Sequence, residues 1–425
     1  MKPQFFTLAN GLRIMLIDTK TFPTMTTLLL VGAGSRYEDT KNNGLAHFLE
    51  HMFFKGSRNY PDPYTISSTI EGMGGVWNAF TAKDYTGYWI KSANYHFDKV
   101  IDVIADMLLH PLLLKKEIEK EKGVIVEEIN MYEDMPQNKV EEIFENLIFK
   151  GTPLGHDIIG SKETVTSFQR RDFLNYLQRL YHPKNALLVV AGGMEKGKDY
   201  GGIIGEKFSN WVVGKSATVS IIKKNQTAPA LHVYEKKTEQ VHFCLGFPTF
   251  SFFDARKYAL SVLSTVLGGG ASSKLFTEVR EKRGLCYYIG TGRQHYHDVG
   301  NIVTQAGVPK DIGKVKEAIR ATFEEHRKIV SGQISAEELQ RAKEIIKGRF
   351  LLSMEDSFNV AHYYGRKMLL ETSQQTPEEV TAEIGKVTRD QVVGLASDLF
   401  SPEKLNVSLV GPLSAKDITV DDLEL

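Results

Sequence analysis

The sequence predicts an α+β chain made of two duplicated α/β-sandwich domains, and three observations predict it. At 425 residues the chain exceeds what one ordinary core organises, and length alone suggests about two to four units. Strand-like and helix-like periodicities follow one another in a similar order in both halves. A helix–turn–strand–Gly unit also occurs twice. Its first copy is Phe173 to Leu180, His182-Pro183-Lys184-Asn185 and Ala186 to Gly192; its second is Val392 to Leu399, Ser401-Pro402-Glu403-Lys404 and Leu405 to Gly411. The expected domains are 1–210 and 230–425. The linker, 211–229, falls in a stretch rich in Gly, Lys, Ser and Asn.

Each element has a local reason. Phe5 to Leu8 and Leu12 to Ile17 flank Ala9-Asn10-Gly11, and Asn-Gly is a strong hairpin turn. A third strand is expected over 25–33, a helix over 43–54, strands over 75–81 and 85–92, and one long helix over 114–149. In the second half, strands over 230–236 and 240–247 precede a helix over 253–267. A Gly-rich turn, a helix over 272–282 and strands within 285–308 follow. Long helices are expected over 311–331 and 335–354, the latter opened by the capping box Ser335-Ala336-Glu337-Glu338. Pro377 sits at the first position of another helix. The acidic end, Asp417 to Leu425, is expected to be disordered.

Composition excludes some functions. Lys+Arg and Asp+Glu are 52 each, with no basic run, so no field favours nucleic acid. The longest apolar run, around Thr26 to Val31, is strand-sized, and no membrane helix is expected. Met1-Lys2-Pro3-Gln4-Phe5-Phe6 is not followed by the apolar stretch of a signal peptide. Cys244 and Cys286 read as buried reduced thiols. A cytoplasmic location is the expectation.

Chemistry concentrates in His47-Phe48-Leu49-Glu50-His51. A helix advances about 100° per residue, so with His47 at zero, Glu50 falls near about 300° and His51 near about 40°. Leu45, Phe48, Leu49, Met52 and Phe53 take the opposite, apolar face. Two neutral imidazoles one turn apart can hold Zn²⁺, and the intervening carboxylate then suits a general base for a metal-polarised water. Catalytic zinc usually takes three protein ligands, so another ligand must come from elsewhere. The helix beginning near 114 carries Glu121, Glu127 and Glu128. Glu121 and Glu128 differ by only about 20° around it, whereas Glu127 lies about 100° from Glu128. A solvated charge run would look similar on spacing alone.

Gly44-Leu45-Ala46-His47-Phe48-Leu49-Glu50-His51-Met52-Phe53-Phe54-Lys55-Gly56 resembles the zinc motif of the pitrilysin (insulinase) family, whose order His-x-x-Glu-His is the inverzincin signature. The resemblance extends over nearly the whole chain. It implies the metallohydrolase fold shared by LuxS and the processing peptidases, and one Zn²⁺ per chain held by His47, His51 and Glu128. Glu50 would be the general base and Glu121 an accessory carboxylate supporting a His ligand. The strand around Asn78-Ala79-Phe80-Thr81 resembles the family's substrate-pairing edge strand. Arg280 and Tyr287 resemble its Arg/Tyr pair, which contacts substrate and stabilises the tetrahedral intermediate.

The implied activity is that of a zinc endopeptidase, a processing-peptidase-like enzyme cutting extended peptides or unfolded segments. The implied assembly is a homodimer, or a heterodimer with an inactive relative. The alternative is a non-catalytic peptide-binding or assembly subunit. The second half has no His-x-x-Glu-His. Gly268-Gly269-Gly270 resembles the family's Gly-rich loop and lacks the Lys-Ser/Thr ending of a phosphate-binding loop. His295 and His297, at strand spacing, are left without a role.

Overall fold

The computed structural model describes residues 3–214, 221–222 and 226–423. The first half runs β1 (Gln4–Thr7), β2 (Arg13–Asp18), β3 (Thr24–Val31), α1 (Leu45–Phe53), α2 (Pro63–Gly72), β4 (Val76–Thr81) and β5 (Thr86–Ala93). It continues through α3 (Phe97–Leu109), α4 (Lys115–Asp134), α5 (Pro136–Ile148), α6 (Lys162–Ser167), α7 (Arg170–Leu180), β6 (Ala186–Gly192) and α8 (Tyr200–Phe208). The second half runs β7 (Ala230–Glu235), β8 (Gln240–Phe250), α9 (Lys257–Gly268), a π-helical turn (Phe276–Lys282), β9 (Tyr288–His295) and β10 (Val299–Pro309). Then come α10 (Ile312–Val330), α11 (Ala336–Ser353), α12 (Ser357–Arg366), α13 (Pro377–Lys386), α14 (Arg389–Leu399) and β11 (Asn406–Gly411).

The duplication is visible strand by strand. One sheet has the order β1-β2-β6-β3-β5-β4 and the other β7-β11-β8-β10-β9. β2 pairs with β6 in parallel, as β7 does with β11. The later pairs, β6–β3–β5–β4 and β11–β8–β10–β9, are all antiparallel. β1 is an addition on the first sheet, turned by Gly11 at φ +93°, with Asn10 Oδ1 accepting from the Leu12 N–H at 3.1 Å.

Two compact units result, and they interleave along the chain. The first comprises Met1–Ile129, His156–Ser220 and Leu352–Thr376; the second comprises Asn130–Gly155, Ile221–Leu351 and Pro377–Leu425. The split expected at 211–229 follows chain order, whereas each unit here borrows a helix from the other half. In the first unit, one sheet face packs on α1, α3 and α7, and the other buries Met15, Ile17, Leu28, Leu30, Leu187 and Val189 under Val360, Ala361 and Tyr364 of α12. In the second unit, α9, α10 and α14 cover one face. On the other face, α5 brings Val140, Ile143, Phe144 and Ile148 against Cys244, Val303 and Val410. Ser408 Oγ donates to the Val140 carbonyl at 2.8 Å. Covering on both faces explains why β6, Ala-Leu-Leu-Val-Val-Ala-Gly, is apolar without alternation and wholly buried. Residues 215–220 and 223–225 of the expected linker lie outside the described residues.

α12 lies so close to its sheet that a Cβ on Gly365 would meet Leu30 Cδ1 at 2.7 Å and Val189 Cγ2 at 2.9 Å. Gly365→Val is therefore expected to destabilise the protein by about 1–3 kcal/mol through overpacking. Chemical denaturation should show a lower midpoint; an unchanged midpoint would contradict this packing.

Some expectations need correction. The single helix expected over 114–149 is two helices, because Pro136 has no N–H to continue α4 and disfavours helical backbone at Met135. The helix expected over 253–267 starts only at Lys257, after a turn in which Asp254 Oδ1 accepts from the Arg256 N–H. The acidic end is ordered as far as it is described. Thr419 N donates to Asp422 Oδ2, and Ile418 and Leu423 are buried in the second core; the last two residues lie outside the described residues. Helices α2, α3, α6, α8 and α12 are not among the elements the sequence predicts. Cys244 and Cys286 are free and buried. Among the described residues, no helix is long and apolar enough to cross a membrane.

Candidate metal centre

α1 is preceded by Gly44 at its N-cap, in the left-handed region (φ 96°) and without a side chain to cap the helix. Glu38 caps the helix from a distance. Its carboxylate accepts from the Gly44 N–H at 2.8 Å and the Ala46 N–H at 2.5 Å, satisfying amides that a helix start leaves open. Burial pushes the Glu38 carboxyl up to about 8, against the pull of those amides. The predicted division of faces holds. Leu45, Ala46, Phe48, Leu49, Met52 and Phe53 are buried, while His47, Glu50 and His51 share the partly open side.

α4 supplies the carboxylates. Glu121 and Glu128 both reach the histidines, and Glu127 is exposed. His47 Nε2 lies 3.7 Å from Glu128 Oε1, and His51 Nε2 lies 3.5 Å from Glu128 Oε2. One donor atom from each of the three residues falls within 4.8 Å of the others. These gaps are too long for hydrogen bonds. They suit a shared ion, since tetrahedral ligands about 2.1 Å from zinc stand about 3.4 Å apart. Burial, and then the neighbouring His51, depress His47 to about 3, so its imidazole is neutral with a lone pair to offer. Burial raises Glu128 above the ordinary carboxyl range, helped by Glu121 and opposed by His51. The residues thus fit a zinc ion in number, donor chemistry and spacing. No other group of this kind is found among the described residues.

Glu121 is 2% exposed. Its Oε1 lies 2.9 Å from His51 Nδ1 and its Oε2 lies 2.7 Å from Lys55 Nζ. Burial alone would raise its carboxyl; the hydrogen bond from His51 and the ion pair with Lys55 outweigh that and hold it below the ordinary value. Glu50 is raised by burial, while Thr81 Oγ1, on β4, donates to its Oε2 at 2.6 Å. Sequence reasoning placed Thr81 only in a substrate strand and gave Lys55 no role. A signal for Lys55 existed: it follows His51 by four residues, one turn further on.

The remaining candidates divide. β4 is the end strand of its sheet, with Val76 56% exposed. Asn78 is exposed, and its Oδ1 accepts from the Ala79 N–H at 2.8 Å. Phe80 turns to the sheet face under α12, packing on Tyr85, Phe358 and His362. Arg280 and Tyr287 belong to the second unit and pair with each other. Arg280 Nε donates to the Tyr287 carbonyl at 2.8 Å, and the Tyr287 ring is open to solvent. Gly268 serves packing, since a Cβ there would lie 2.4 Å from the Thr291 amide of β9. His295 Nδ1 lies 3.2 Å from the Phe250 carbonyl, and His297 stands edge-on to Phe252 and Phe253.

Residues 13–162 match the family model described as insulinase (peptidase family M16), and residues 167–346 match the M16 inactive domain. The uncharacterized zinc protease YmxG of Bacillus subtilis is 34% identical over 96% of this chain and 98% of its own length. An uncharacterized zinc protease of Streptomyces coelicolor is 31% identical over 96% of this chain and 90% of its own length. Among solved structures, a protease from Helicobacter pylori superposes with a TM-score of 0.90 at 24% identity, covering 97% of this chain and 100% of that one. The M16 inactive-domain peptidase structure from Pseudomonas fluorescens gives a TM-score of 0.87 at 18% identity, covering 97% and 98%.

Proposed function

The chain belongs to the insulinase (M16) family of peptidases, and on that premise we propose that it is a zinc-dependent endopeptidase cutting extended peptides or unfolded segments. The observation that carries the reading is the set His47, His51 and Glu128 at ligand spacing, with Glu50 one residue from His51 on the same open face. His47, His51 and Glu128 would hold one zinc per chain. Bound there, zinc would polarise a water molecule and bring its pKa toward neutrality.

Glu50 accepts the proton of that water as its oxygen attacks the scissile carbonyl, and then returns it to the leaving amine as the C–N bond breaks. Burial raises the Glu50 carboxyl, which makes it a stronger acceptor for that proton. Thr81 occupies Oε2 and leaves Oε1 for the water. β4 would take the substrate as an added strand through Asn78, Ala79, Phe80 and Thr81, which places Thr81 next to both the base and the peptide. Arg280 and Tyr287 offer a guanidinium and a phenol for the developing oxyanion or the substrate backbone. Since one chain carries both the zinc residues and this pair, the assembly is read as a homodimer.

The assay is direct. The purified protein is expected to bind about one zinc per chain and to cleave an unstructured peptide, with chelator abolishing cleavage and zinc restoring it. Cleavage that survives metal removal would refute the mechanism. Zinc binding without cleavage would favour a peptide-binding subunit. Light scattering behind size exclusion tests the assembly, and a stable monomer would remove the homodimer.

A further inference from the structure

The His51–Glu121 contact raises a question of charge. Glu121 is 2% exposed, and an ionised carboxylate so buried is strongly disfavoured unless it is paired. His51 does not supply the pairing charge when it serves as a ligand, because a coordinating imidazole is neutral. Lys122, next in sequence, is committed elsewhere: its Nζ lies 3.0 Å from Glu119 Oε1. Among the described residues, Lys55 is the cation on Glu121, at 2.7 Å and with its side chain only 25% exposed. Lys55, Glu121 and His51 therefore form one chain of contacts that ends on the His51 ring, whose Nε2 lies 3.5 Å from Glu128 Oε2.

We propose that Lys55 is a positioning residue for the metal: it holds the Glu121 carboxylate against His51 Nδ1, fixing the Nδ1–H tautomer and turning the His51 Nε2 lone pair toward Glu128 and the ion. The proposal rests on the zinc reading above. His47 has no such support, since its Nδ1 is buried without a hydrogen-bond partner among the described residues. The orientation of the ligand pair thus leans on the His51 side. Glu121 takes the accepting place that a carbonyl or water takes behind other ligating histidines, and the ammonium orients it from one contact further out.

The test uses the full-length wild type, Lys55→Met and Lys55→Arg. Zinc affinity is measured by competition with a chromogenic chelator. The His51 tautomer is read from nitrogen-15 histidine spectra of the zinc-free proteins above the imidazole titration range. Lys55→Met is expected to weaken zinc binding by about 10- to 100-fold and to mix the two His51 tautomers. Lys55→Arg keeps the charge and should restore affinity to within a few-fold. Equal affinity in wild type and Lys55→Met overturns the proposal. So does an unchanged tautomer in Lys55→Met alongside weaker binding, because general loosening of the fold would weaken binding without that change. A wild type that holds no zinc overturns the peptidase reading instead, and the tautomer comparison then decides the role of Lys55 on its own.

Discussion

Glu50→Gln is expected to lower kcat/KM on an unstructured peptide by at least about 10²- to 10⁴-fold, the range that general base catalysis contributes, with zinc still bound. The amide is nearly isosteric and its oxygen can still accept from Thr81 Oγ1, so the wall of the site should keep its shape. It cannot take a proton from water, because the amide lacks the basic carboxylate. Metal content by atomic absorption, measured beside the rate, separates this from ligand loss: His47→Ala should lose both zinc and activity. Glu127→Gln, on an exposed carboxylate of the same helix, should change neither. A Glu50→Gln protein that cleaves at the wild-type rate would end the assignment of the base.

The metal helix was legible because one periodicity governs it. Three polar residues at 47, 50 and 51 among apolar neighbours can share a face only on a helix, and α1 shows that division. The seven-residue spacing of Glu121 and Glu128 carried over for the same reason. It could not say which glutamate meets the histidines end-on; the family resemblance implied that choice. The four-residue spacing of Lys55 from His51 was a weak signal, because its partner, Glu121, is distant in sequence and a lysine after a helix end is ordinarily solvated. Glu38 was missed likewise, since a cap supplied from before the N-cap has no local signature. The break at Pro136 has a local signal, since proline disfavours helical backbone at the residue before it, and it matters most for the fold. It frees α5 to leave α4 and join the second sheet.

That exchange is the part no local pattern encodes. An amphipathic helix states that it has an apolar face and does not state which sheet receives it. α5 and α12 stand at matching places in the two halves, each after a long helix, and each covers the sheet built by the other half. Residues 1–229 and 230–425, expressed separately, are therefore expected not to fold cooperatively. Without α12, the first sheet would expose Met15, Ile17, Leu28, Leu30, Leu187 and Val189, all fully buried in the intact chain. Each such side chain contributes about 1.5–3 kcal/mol when buried, so losing this face removes an amount comparable to the about 5–15 kcal/mol that holds a typical protein together. The second fragment faces the same loss at Cys244, Val303 and Val410 without α5. Near-ultraviolet circular dichroism and thermal unfolding should show neither fragment with a cooperative transition alone, while co-expression restores one. A first fragment that unfolds cooperatively by itself would mean that α12 adds little, and the chain-order boundary at 211–229 would then describe the folding units better than the interleaved one.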